Sequence, residues 1–189
     1  MFKVFIPLIL LVTSVSSLQC NLLYSYLRNV NWRAMILLSK MSKEFPLQCL
    51  SIRMDFKFSQ EFLPPDQSLK NIKTVIYEMS QHIFNILSKN YLPLNWEVEN
   101  IQKIQIGLHQ QSEYLQKCLE EDEKQKKELE KEASGLSILQ LNNWELKRYF
   151  KRIVNFLKEK KYSHCAWEIV RLEMRRCLYT LQKLLSQLK

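Results

Sequence analysis

Hydrophobic residues recur at steps of three and four along five stretches of this chain, so each stretch reads as one face of a helix. The first runs from about Asn21 to Met41, with Leu23, Tyr26, Leu27, Val30, Ala34, Leu37, Leu38 and Met41 in register. A second, from about Leu69 to Lys89, carries Ile72, Val75, Ile76, Met79, Ile83, Phe84, Ile86 and Leu87. The third aligns Ile101, Ile104, Leu108, Leu115 and Leu119; Asn95 is its expected N-cap, and Glu97 and Glu99 suit its positive end. Leu146, Tyr149, Phe150, Ile153 and Leu157 mark a fourth over about Leu139 to Lys160. The fifth begins after the N-cap candidate Ser163 and runs to about Leu188 through Val170, Met174, Cys177, Leu181 and Leu184. No period-two alternation of useful length competes with these patterns, so an all-α fold is expected.

The interruptions are as informative as the stripes. Pro46, Pro64 and Pro65 punctuate a connection of roughly 25 residues between the first two helices, unusually long for a compact domain. Such a crossover points to a five-helix bundle of the up-up-down-down cytokine type. Residues 119–137 contain a charge run, Glu120 to Glu132, in which Leu129 is the one apolar residue. It has no face to bury and reads as a solvated helix extension or a mobile linker. Gly135 then marks a break.

The N-terminus reads as an address and not as structure. Lys3, the apolar run Val4 to Val12 and the small residues of Val15-Ser16-Ser17 form a signal peptide over residues 1–17, leaving a helical domain over 18–189. No later stretch approaches the ~20 apolar residues of a membrane span. A secreted, extracellular, monomeric protein without membrane insertion is expected. Secretion makes disulfides the default for Cys20, Cys49, Cys118, Cys165 and Cys177. Counting alone allows about fifteen ways to pair four and leave one over. No CxxC and no Cys/His cluster appears, so neither a metal nor a cofactor is expected.

Charge adds a partner class. The chain carries a formal +9, concentrated late at residues such as Lys151, Arg152, Lys158, Lys160, Lys161, Arg171, Arg175 and Arg176. An acidic receptor face, a cell-surface polyanion of the heparan sulfate kind, or an anionic lipid surface would each answer that charge. Nucleic acid is not expected, because aromatic residues do not interleave with the basic ones. The chemistry of enzymes is missing. There is no GxSxG, GxGxxG, P-loop or HExxH, and His164 and Cys165 are helix neighbours that point about 100° apart. Recognition at a surface remains. Arg171 and Arg175 share a helix face and could carry it, or could be a solvated basic face.

At the fifth helix the residues become specific. Lys158-Glu159-Lys160-Lys161-Tyr162-Ser163 and Cys165-Ala166-Trp167-Glu168-Ile169-Val170-Arg171 resemble the C-terminal signature of type I interferons. The resemblance covers essentially the whole mature chain. It includes Cys49-Leu50, Arg53 and Asp55-Phe56 in the long loop, Glu78-Met79 and Ile83-Phe84-Asn85 in the second helix, and Tyr149-Phe150 with Arg152-Ile153 in the fourth.

The resemblance implies two disulfides, Cys20–Cys118 and Cys49–Cys165, with Cys177 left as a free thiol. It implies binding to both chains of the type I interferon receptor, which starts kinase signalling and antiviral transcription. The high-affinity chain is expected on Leu50, Arg53, Arg171, Leu172, Arg175 and Arg176; relatives often carry an apolar residue where Arg175 stands. The low-affinity chain is expected on Phe84, Asn85, Asn100, Lys103, Gln105, His109 and Lys147. Gln105 and His109 stand where relatives often have tyrosine, and Asn100 where they often have leucine, so this face departs from the family. A basic helical protein acting directly on membranes or polyanions is the competing reading.

Overall fold

The computed structural model describes Cys20 and residues 22–42, 44–58, 69–89, 91–129 and 137–186; for Leu69, 125–129 and 137–143 it describes the backbone only. The expected leader over residues 1–17, Pro64, Pro65, Gly135 and Leu188 lie outside the described residues.

Five α-helices follow the five stripes: α1 Leu23–Lys40, α2 Leu69–Leu87, α3 Val98–Leu129, α4 Ser137–Glu159 and α5 His164–Ser186. No strand occurs among the described residues. The apolar stripes meet in one core. Leu38, Ile72, Met79, Ile83, Leu108, Leu115, Ile153, Val170 and Met174 are fully buried in it, around the large side chains of Trp167, Tyr149 and Phe150. The principal neighbours of α1 are α3 and α5, and α2 packs on α3, α4 and α5. Consecutive helices α1 and α2 are therefore not principal neighbours. A connection long enough for a crossover separates them.

The helix starts correct and sharpen the sequence reading. Ser163 does cap α5: its Oγ accepts from Ala166 N at 3.3 Å. Asn95 does not cap α3. That helix opens two residues later, where the Glu97 carbonyl accepts from Asn100 N and Ile101 N. Between them Trp96 turns inward, 2% exposed, and packs edge-on against Trp167 at 5.6 Å between ring centroids.

Helix α3 runs through the charge run as far as Leu129. The physical reason is an ion-paired seam. Lys73 of α2, itself buried, meets Asp122 at 2.7 Å, and Lys70 meets Glu123 at 3.5 Å. An acidic run can extend a helix without burying an apolar face when a neighbouring helix supplies lysines.

Inside the long connection lies an element that periodicity did not announce, a short 3-10 helix over Leu47–Ile52. Six residues are too few for a stripe. It packs on α5, with Cys49 fully buried.

Candidate functional site

The two disulfides are those the resemblance implied. Cys20–Cys118 ties the residues just ahead of α1 to α3, and Cys49–Cys165 ties the 3-10 helix to the first turn of α5. Cys177 is free and buried. Burial pushes its thiol up to about 12, so it stays protonated and unreactive. Its neighbour Tyr149 is likewise held protonated, by burial first and by its interactions with Cys177 and Glu173 after it.

The second disulfide shapes a groove at the surface. Clamping the loop to α5 leaves a concavity of about 900 Å³ between them, lined by Leu50, Arg53, Met54 and Asp55 from the loop and by Ile169, Leu172, Glu173 and Arg176 from α5. Leu50 is 49% exposed and Leu172 is 38% exposed, so two apolar side chains face each other across the groove without covering it. The loop is held from beneath. Phe56 is buried edge-on against Phe156 at 5.3 Å, and Arg152 Nε donates to the Phe56 carbonyl at 3.0 Å. Lys57 takes a left-handed φ of 52°, with its N–H donating to Asp55 Oδ1 at 2.8 Å. Arg176 is steered as well: it lies 5.3 Å over the Phe58 ring and 3.7 Å from Glu173, whose carboxylate accepts from Tyr149 Oη at 2.7 Å.

Four of the expected high-affinity residues, Leu50, Arg53, Leu172 and Arg176, thus line one groove. Arg175 lies beside it, half-buried, with its Nε unpartnered. Arg171 is a correction. It is 2% exposed and each of its three guanidinium nitrogens donates within the protein, to Glu168 Oε2 at 2.8 and 3.1 Å and to the Leu38 carbonyl at 2.8 Å. Glu168, also buried, accepts from Trp96 Nε1 at 3.2 Å. The pair braces α5 against α1 beneath the groove. The sequence reading missed Met54, Asp55 and Glu173. The first two are the next residues after Arg53 in a tethered loop, which was signal enough to include them.

The second expected set spreads over α2, α3 and α4. Phe84 is half-buried and stacks on His109 at 5.8 Å, with Asn85 exposed beside it. Gln105 Nε2 donates to the Leu87 carbonyl at 3.0 Å, closing the end of α2. Exposed Lys103 pairs with Glu99 at 2.6 Å and holds that carboxyl below its ordinary value. Asn100 is a second correction: it is 8% exposed and its amide donates to the Glu97 carboxylate at 2.6 Å, within the first turn of α3, instead of facing outward. Lys147 is exposed on α4, close enough to His82 to lower its pKa, although burial against Phe150, stacked at 4.6 Å, is the larger cause. No cluster of metal-binding side chains occurs among the described residues, and no described helix is long and apolar enough to cross a membrane.

Comparison with known proteins agrees with this architecture. Residues 23–188 match the family model of the interferon alpha/beta domain. The chain is similar to human interferon kappa, 51% identical over 88% of this chain and 84% of that protein. It is 34% identical to interferon beta of Tachyglossus aculeatus aculeatus, over 88% of this chain and 86% of that one. Among solved structures, zebrafish interferon 2 superposes with a TM-score of 0.70 over 82% of this chain and 97% of its own, at 22% identity, a likeness of fold alone. Its relatives are interferon cytokines and not enzymes. This chain belongs to the type I interferon family.

Proposed function

We propose that this interferon is secreted and acts by bridging the two chains of the type I interferon receptor, which brings their associated kinases together and starts JAK-STAT antiviral and immunoregulatory signalling. The observation that carries this reading is the groove between the 3-10 helix and α5. It combines two facing leucines with an exposed arginine at each wall, Arg53 and Arg176, and its floor is fixed by a disulfide and a buried ion pair. A preformed groove with an apolar centre and arginines at its edges suits a hot-spot contact, since little ordering entropy remains to be lost on binding. We assign the high-affinity chain to Leu50, Arg53, Leu172, Arg175 and Arg176. The low-affinity chain is assigned to Phe84, Asn85, Lys103, Gln105, His109 and Lys147, where committed hydrogen bonds leave fewer free donors. Arg171 and Asn100 act through the positions of their neighbours.

The test is binding of the refolded mature chain to each receptor ectodomain separately. Arg53→Ala is expected to weaken the high-affinity chain at least tenfold while leaving the melting temperature unchanged. No binding of the unmodified chain to either ectodomain would sink the reading. Exposed Lys158, Lys160 and Lys161 at the α4–α5 turn favour a second, compatible role, retention on a heparan sulfate-like polyanion near the producing cell. That retention should be released by moderate salt.

A further inference from the structure

A second concavity, of about 510 Å³, lies between α1 and α3 and shares no residue with the loop–α5 groove. Val30, Ala34 and Leu37 of α1 and Ile104, Ile106 and Gly107 of α3 supply most of its apolar lining. Most of these residues are buried or half-buried. Each wall exposes one large aliphatic side chain, Ile36 at 38% on α1 and Ile106 at 57% on α3. The result is a slot and not a broad face.

Gly107 lies between the walls, opposite Val30. It takes no left-handed φ, and a Cβ there would meet Val30 Cγ1 at 3.4 Å, at the edge of ordinary contact, so alanine fits. Neither backbone geometry nor packing inside the chain therefore calls for glycine, which lowers helix stability relative to alanine. What the missing side chain does is keep the slot open.

The polar groups of the slot are placed unevenly. Tyr26 meets Tyr114 edge-on at 5.4 Å and Val30 meets Gly107, so α1 and α3 run antiparallel. Arg33 is three residues beyond Val30 and Lys103 is four before Gly107, so both lie about one turn from the glycine toward the same end. Arg33 is exposed, and Lys103 gives one of its three donors to Glu99 at 2.6 Å. No acidic residue belongs to the described lining, and α1 carries none along its length.

We propose that this slot binds a single-chain aliphatic carboxylate, a ligand of the fatty-acid type. Its carboxylate sits between Arg33 and Lys103, and its hydrocarbon tail lies over Gly107 toward Tyr26. A pocket of this volume, with apolar walls and a few convergent polar groups, has the form of a small-molecule site. The Arg33 guanidinium matches a carboxylate through two parallel hydrogen bonds. A partner helix fits less well, because it calls for a row of exposed apolar anchors along the groove. Lys103 apart, no lining residue belongs to either set of expected receptor contacts, so the inference stands or falls independently of the receptor reading.

Displacement of fluorescent dansyl-undecanoate from the full mature chain tests this. Decanoate should displace the probe saturably, and decanol and decylammonium should each be about tenfold weaker. Arg33→Gln should weaken decanoate several-fold and leave decanol unchanged. Gly107→Ala should raise the melting temperature, since the helix gains and the core loses nothing, and should weaken decanoate by filling the slot. Ile106→Glu, at an exposed position, keeps the test open should Gly107→Ala disturb folding; its carboxylate should repel decanoate and abolish binding. No saturable displacement up to about 1 mM decanoate would overturn the inference. So would equal binding of decanoate and decylammonium, or a decanoate affinity that neither Arg33→Gln nor Ile106→Glu changes. Binding to phosphatidylserine vesicles without any displacement by free decanoate would assign the surface to membranes and overturn it as well.

Discussion

Arg171 and Arg53 are both arginines beside the same groove, yet burial gives them opposite roles. Arg171 and Glu168 are 3% and 0% exposed at their side chains, so each is the other's main compensation for leaving water. Arg171→Ala is expected to cost about 3–5 kcal/mol, because it strands a buried carboxylate and frees the Leu38 carbonyl. Arg171→Lys should recover only part of that loss, since an ammonium cannot span both acceptors. Arg53→Ala, on an exposed loop, should change stability by no more than about 0.5 kcal/mol. Urea unfolding of the three variants checks this, and an Arg171→Ala protein as stable as the original would refute the bracing role. Helical spacing placed Arg171 on the right face of α5, but its exposure was not legible. One of its partners, the Leu38 carbonyl, is 133 residues away in sequence, and only the packed bundle brings α1 to it.

Elements were legible to the extent that their signals are local. Five stripes gave five helices, because a 3.6-residue period needs no distant partner. Signals that depend on packing were misplaced: the start of α3 is set by burial of Trp96, and the extension of α3 by lysines on α2. The α4–α5 turn is another packed feature, with Lys161 and Tyr162 at left-handed φ of 51° and 52° so that Tyr162 N can reach the Leu157 carbonyl at 2.8 Å. Lys161→Gly should relieve that strain and stabilise by about 0.5–1 kcal/mol after the entropy of glycine is counted, read as a rise in melting temperature. Between α2 and α4 the sensitive group is His82. Burial, helped by Lys147, lowers its folded-state pKa below 6.5, while Glu78 lies 3.9 Å from its Nε2. The unfolded chain therefore binds more protons there, so stability rises with pH through this window and is lost as pH falls below 6.5. His82→Leu should remove that part of the acid slope, measured as the difference in urea midpoint between neutral and mildly acid buffer. An unchanged slope would assign it to other groups.

At the scale of the whole molecule the two disulfides divide stability from function. Both close long loops, 98 residues for Cys20–Cys118 and 116 for Cys49–Cys165, so loop-closure entropy alone predicts similar losses of about 4–5 kcal/mol for each, in a model whose mechanism is debated. Their positions differ in what else they hold. Cys20–Cys118 fastens the residues just ahead of α1 near the acidic end of α3, and neither cysteine lines the loop–α5 groove. Cys49–Cys165 fixes one wall of that groove to the other. Replacing both cysteines of the first pair by serine should lower the melting temperature yet leave affinity for the high-affinity receptor chain within about threefold, measured well below the transition. The same replacement in the second pair should destabilise comparably and also weaken binding by tenfold or more, because Leu50 and Arg53 would have to be ordered at the moment of contact. Equal effects of the two double variants on affinity would mean that the loop holds its place without the disulfide, leaving the Phe56 burial and the Arg152 hydrogen bond sufficient to set the groove.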